Sequence, residues 1–163
     1  GYSLTLMMPG TNDPAEARSW RSSFDLGGSP GFSDFLPLQS WVESYGGVSL
    51  LKDADGDGRL SILEYLENTN PLKKDYSTKE IKLTEEGELR LEIKQAIGHD
   101  QVYFSAERSD ALSLWIKEGI EYRGRINNGD GTETVRFRID DSVDSLSKNQ
   151  FLQLSVSEEP ETN

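Results

Sequence analysis

Apolar residues recur along this chain with two different periods, and the change between them falls near Lys79. Tyr2, Leu4 and Leu6 alternate with Ser3 and Thr5, the two-residue period of a short strand that Pro9-Gly10 ends. Residues 11–31, TNDPAEARSWRSSFDLGGSPG, carry neither a helical nor a strand period and read as a loop or linker, with Trp20 and Phe24 pinning it to a neighbour. Over residues 34–45, Phe35, Leu38, Trp41, Val42 and Tyr45 fall at helical spacing. Asp34 is the expected N-cap, Pro37 fits only the first turn, and Gly46-Gly47 stops the helix. A second helix follows Leu60, with Leu63 and Leu66 on one stripe and Ile62 and Tyr65 beside it. Glu64, Glu67 and Asn68 are left for solvent or metal, and Asn70-Pro71 ends the helix.

Beyond Lys79 the period becomes two. Strands are expected at residues 80–84, 88–96, 101–107, 112–117, 132–139 and 151–157, with turns at Glu86-Gly87, at residues 98–100 and at Asn128-Gly129-Asp130-Gly131. Short strands at regular spacing predict an antiparallel sandwich. Its expected core is Leu89, Leu91, Ile93, Val102, Phe104, Leu114, Ile116, Val135, Phe137, Ile139, Leu152 and Leu154.

Between the two helices, and running into the second, lies DADGDGRLSILE, residues 53–64, whose acidic first half fits neither period. Carboxylates at Asp53, Asp55 and Asp57, a glycine at Gly58 and a closing carboxylate at Glu64 give the D-x-D-x-D-G-x5-E spacing of an EF-hand calcium loop. Alternate residues turn their oxygens toward one point, and Gly58 permits the sharp turn. Arg59 would offer its backbone carbonyl, Ser61 would hold a water, and Glu64 would close the shell with both oxygens. The competing reading is an acidic turn in which Ser61 and Glu64 form a capping box for the helix. That reading leaves Asp53, Asp55, Asp57 and Gly58 unexplained, and crowded carboxylates repel one another unless a cation neutralises them.

Composition narrows the partners. With 17 Lys and Arg against 29 Asp and Glu, the net charge is -12, which repels nucleic-acid backbones and anionic membranes and attracts a cation. There is no cysteine, so disulfides, thiolate metal sites and cysteine nucleophiles are excluded, and bound calcium is one remaining staple for an exported chain. No apolar run is long enough to span a bilayer, and GYSLTLMMPG lacks the build of a signal peptide. The chain reads as a piece of something longer.

Three resemblances follow from quoted stretches. The order GYSL, a Pro-containing turn, NDPAEARSWRSS and GGSPG resembles the closing segment of bacterial lamin-tail-type domains, over residues 1–31. Residues 53–71 resemble the reduced single calcium loops of bacterial extracellular proteins, in which D-x-D-x-D-G precedes a helix of the form xxLEYLxxTNP. VYFSAERSDALSLW with GDGTETVRFRI and FLQLSV resembles the non-catalytic C-terminal sandwich of large bacterial surface proteins, over roughly residues 80–157. The resemblances imply an α+β chain, a short EF-hand-like calcium unit followed by an antiparallel Ig-like β-sandwich. They divide it into a linker and remnant strand of an upstream domain at 1–31, a calcium-binding unit at 32–72 and the sandwich at 73–163.

Other candidates are weaker. Asp130 sits in NNGDGTET, which lacks alternating carboxylates and a closing glutamate and reads as a hairpin turn. Asp140, Asp141 and Asp144 read as a solvated loop. His99 is the only histidine and has no patterned serine or cysteine beside it, a poor basis for a triad or zinc site. Trp20 and Trp115 are the tryptophans free to line a sugar platform. The function expected is therefore a non-catalytic, calcium-stabilised linking module of a secreted or cell-surface bacterial protein. Its partners would be one calcium ion and an upstream domain, with a glycan- or protein-binding sandwich as the alternative.

Overall fold

A computed structural model of the chain describes residues 1–75, 79–83, 89–139 and 150–158. The cluster Asp140, Asp141 and Asp144 and the turn Glu86-Gly87 lie outside them. In chain order the elements are β1 (Tyr2–Leu6), a 3-10 turn (Ala17–Ser19), β2 (Trp20–Leu26), α1 (Leu38–Ser44), α2 (Ser61–Glu67), β3 (Lys79–Leu83), β4 (Leu89–Ala96), β5 (Tyr103–Ser109), β6 (Ile120–Asn127), β7 (Thr132–Ile139) and β8 (Phe151–Ser157). Among the described residues every strand pairing is antiparallel: β1 with β2, β5 with β8, and a four-stranded sheet in the order β3-β4-β7-β6.

The clearest alternation makes the central strand. On β7, Glu133, Val135, Phe137 and Ile139 are buried while Thr132, Thr134, Arg136 and Arg138 are half-buried, and Leu91 and Ile93 of β4 stand opposite Phe137 and Val135. These side chains share one core with Ala106 of β5, Leu152 of β8 and Leu66 of α2. A second cluster of Trp41, Ile62, Tyr65 and Val102 joins the two helices to the strands, with Tyr45, Leu63 and Val156 packed against it. Thus α2 contributes to both clusters. No helix among the described residues is long and apolar enough to cross a membrane.

Three expectations about elements fail for local reasons. Residues 112–117 do not form a strand, because Ser109 Oγ accepts the N–H groups of Ala111 and Leu112 and turns the chain, and Leu112 takes a left-handed φ of 62°. Leu114 is consequently 71% exposed instead of lying in the core, and Ile116 makes only a single bridge to Arg108. The next strand is β6, which begins only at Ile120 and whose apolar alternation at Ile120 and Tyr122 is interrupted by an irregularity before Gly124. Residues 11–31 contain β2, which shows no hydrophobic period because its buried residues are Arg21 and Ser23.

Arg21 explains what covers β2. Its Nε and Nη2 donate to the two carboxylate oxygens of Asp100, both at 2.8 Å, and Nη2 also reaches Asp34 Oδ1 at 2.9 Å. Burial alone would lower the proton affinity of this guanidinium, but the hydrogen bonds and charges of Asp100 and Asp34 raise it above the ordinary arginine value. Asp34 therefore does not cap α1. Its carboxylate takes Arg21 and the Phe24 N–H, and the first helical N–H, that of Leu38, donates instead to Gln101 Oε1 at 2.7 Å.

The loop after β4 gathers the other connections. Gly98 accepts the Leu36 N–H at 2.8 Å, and the buried His99 donates from Nδ1 to the carbonyl of Tyr65. Gly98 has φ +90°, and a Cβ there would stand 2.6 Å from the Asp34 carbonyl oxygen, so only glycine fits. Replacing Asp100 by Ala should cost about 3–5 kcal/mol in urea unfolding, since Arg21 would stay buried with half its pairing removed. Leu114→Ser should stay within about 0.5 kcal/mol of the parent.

Candidate metal centre

The acidic loop is shaped by its own carboxylates. Asp53 Oδ1 accepts the N–H of Gly56 at 2.7 Å and of Asp57 at 3.2 Å, and Asp53 Oδ2 accepts the Gly58 N–H at 2.8 Å. Asp55 Oδ1 accepts from Asp57 N–H at 3.1 Å, and Asp57 Oδ1 from Arg59 N–H at 2.8 Å. Such side-chain to backbone bonds are the habit of aspartate in turns, and Gly58 at φ +93° supplies the left-handed step they require. The Gly58 bond, ahead of those from Gly56 and Asp57, holds the Asp53 carboxyl below the usual carboxylate range.

One oxygen from each of Asp53, Asp55 and Asp57 lies within 4.8 Å of the others, close enough to share a metal ion. Glu64 does not belong to that tight group, yet it is fully buried on α2, and both its carboxylate oxygens lack a hydrogen-bond partner. Asp55 Oδ2 is buried and equally without a partner. Burial pushes the Glu64 carboxyl up to about 7, the charge of Asp55 adds to the rise, Arg59 opposes it, and Asp57 and Asp75 add further. An exposed acidic turn would leave its oxygens to water. Here, among the described residues, three buried carboxylate oxygens have no donor, a state that a proton, an ordered water or a cation would relieve.

Ser61 and Arg59 are placed differently from one another. Ser61 lies inside α2, not ahead of it, and both its N–H and Oγ donate to the Lys52 carbonyl, at 2.9 and 3.1 Å. The residue at the N-cap position is Leu60, with no side-chain capping bond, so the reciprocal Ser61–Glu64 box does not form. The hydroxyl keeps its acceptor lone pairs for a water or ion. Arg59 is buried under the loop, its Nη1 paired with Asp75 and its Nη2 with Glu67. Glu67, expected to face solvent or metal, is thereby buried.

Among the other candidates, Asp130 closes the β6–β7 turn as expected, accepting the Thr132 N–H at 3.0 Å and pairing with Lys94 at 3.1 Å. His99 uses Nδ1 on a backbone carbonyl and stacks obliquely on Tyr65, ring centroids 4.7 Å apart. Trp20 is half-buried with Nε1 donating to the Pro14 carbonyl at 2.9 Å, Trp41 is buried and Trp115 half-buried. The sequence pattern missed Asp75 and Lys74, which come back onto the loop across 18 residues and carry no motif. No protein-family model, curated protein or solved structure matches this chain.

The raised Glu64 carboxyl has a pH signature in the ion-free protein. Its folded value near 7 lies above its ordinary 4.5, so the folded state binds the extra proton. That stabilisation is fully present below about pH 4.5 and is lost as pH rises through 7. In the presence of chelator, Glu64→Gln should therefore be more stable than the parent at pH 7.5, by roughly 3 kcal/mol. The gain should shrink to nothing as the pH approaches 4.5, as followed by denaturant unfolding across that range.

Proposed function

We propose that this chain is a non-catalytic, calcium-stabilised linking module of a secreted or cell-surface bacterial protein. It binds one calcium ion through an EF-hand-like loop: Asp53, Asp55, Asp57, the carbonyl of Arg59, Ser61 through a water, and both oxygens of Glu64. The single observation that carries the reading is the trio of buried carboxylate oxygens with no donor among the described residues, Asp55 Oδ2, Glu64 Oε1 and Glu64 Oε2. A hard cation of variable coordination answers all three at once, and calcium takes six to eight such oxygens. The net charge of -12 favours the same partner. Calcium would turn the repulsion of the loop into a brace on α2, whose Leu66 sits in the strand core, itself read as an Ig-like sandwich. On this reading the chain also keeps its resemblance to lamin-tail-type and surface-protein modules.

The upstream partner is supported by the outer face of the β1–β2 hairpin. Leu4 and Leu26 are 76% and 72% exposed there, beside Tyr2, a solvent-facing apolar group that an adjoining domain would cover. The alternative reading is a glycan- or protein-binding β-sandwich braced by calcium; an open depression of about 550 Å³ beside it, lined by Phe24, Phe32 and Phe35 together with Ile97 and His99, is where such a partner would be sought.

Lacking a second loop, the site should bind calcium in the roughly 10⁻⁴ to 10⁻³ M range of extracellular modules. Calcium at about ten times the dissociation constant should then stabilise the fold by roughly 1.4 kcal/mol. Magnesium, which needs a tight octahedron, should raise the melting temperature little. Thermal melts in calcium, magnesium and chelator test this, and Asp55→Asn should abolish most of the calcium response. An unchanged melting temperature on chelation would leave only an acidic turn.

A further inference from the structure

We propose that residues 71–75 are a strap that presets the acidic loop for its cation, with Lys74, Asp75 and Arg59 as positioning residues. The inference deepens the calcium reading and rests on it. Asn70 begins the strap: its Oδ1 accepts the Leu72 N–H at 2.9 Å, and its carbonyl accepts the Lys73 N–H at 3.0 Å, turning the chain back after α2. Pro71 is fully buried and anchors the turn.

The returning chain then grips the loop at three points. Lys74 Nζ donates to the Gly56 carbonyl at 2.9 Å, the Asp75 N–H donates to Asp57 Oδ2 at 3.1 Å, and the Asp75 carboxylate pairs with Arg59 Nη1. Arg59 passes the connection on through Nη2 to Glu67, one turn along α2 from Glu64. The Asp57 carboxylate is consequently held from both sides, by Arg59 N–H on Oδ1 and by Asp75 N–H on Oδ2. Each oxygen of a carboxylate has a second lone pair, so both remain able to face an ion.

The physical benefit is preorganisation. Ordering a loop residue at the moment of binding costs conformational entropy, and a loop already held at Gly56, Asp57 and Arg59 has less left to order. The cationic heads of Arg59 and Lys74 also offset carboxylate repulsion before any ion arrives. A strap of this kind does for a lone loop what a second loop would do for a pair.

Lys74 makes the inference testable, because its two effects on affinity have opposite signs. As a positive charge near the site it repels calcium, so simple electrostatics predicts that removing it tightens binding. As a strap contact it holds the Gly56 carbonyl, so its removal should weaken binding. Calorimetric titration of the full chain with calcium chloride at 25 °C, for the parent and for Lys74→Met and Lys74→Arg, separates the two. We expect Lys74→Met to bind roughly three- to tenfold more weakly and Lys74→Arg close to the parent. A parent that binds calcium alongside a Lys74→Met variant that binds equally or more tightly overturns the strap alone. A parent showing no calcium binding overturns the calcium reading and the strap with it.

Discussion

A buried guanidinium with two carboxylates holds together parts of this chain that its sequence keeps far apart. Arg21, on β2, is 2% exposed and can sit there only because Asp100 and Asp34 neutralise it from two sides. Asp100 belongs to the loop after β4, so the ion pair joins the N-terminal hairpin to the four-stranded sheet. The same loop fixes α1 through Gln101 and the end of α2 through His99. Neither contact would form if that loop were displaced, and at Gly98 the loop passes so close to the Asp34 backbone that a side chain there would collide with it.

Helix α2 is where this framework meets the acidic loop. Over only seven residues it sends Leu66 into the strand core and Ile62 and Tyr65 into the cluster around Trp41, and it buries Glu64 within electrostatic reach of Asp55 and Asp57. Tyr65 adds a hydroxyl bond to the Leu36 carbonyl at 2.7 Å. A helix this short has little stability of its own, and tertiary contacts on several faces supply it. Its left-handed Asn68 and the following Pro71 end it sharply, which directs the strap back to the loop.

The sequence was most legible where the determining contacts are local. The aspartate spacing at residues 53–57 dictates its own turns, and the alternation of β7 dictates which face is buried. Legibility failed where burial is polar or where a side chain overrides the period. No hydrophobic pattern marks β2, since Arg21 and Ser23 point inward, and Ser109 turns the chain where Leu114 and Ile116 suggest a strand. At the candidate metal centre the carboxylates could be read from spacing alone. The buried pairing of Arg59 with Asp75 and Glu67 could not, because an arginine in an acidic loop is ordinarily a solvated one.

The reach of the Arg21–Asp100 pair also fixes an order of events during folding. The two residues are 79 positions apart, so a chain emerging from the ribosome has no partner for Arg21 at Asp100 until all of β4 and the start of the loop after it have been made. The hairpin that carries Arg21 closes early and locally, but it cannot dock before then. Closing so long a segment is slow compared with forming a hairpin or a helix, so final assembly waits on the sheet and not on the elements that precede it.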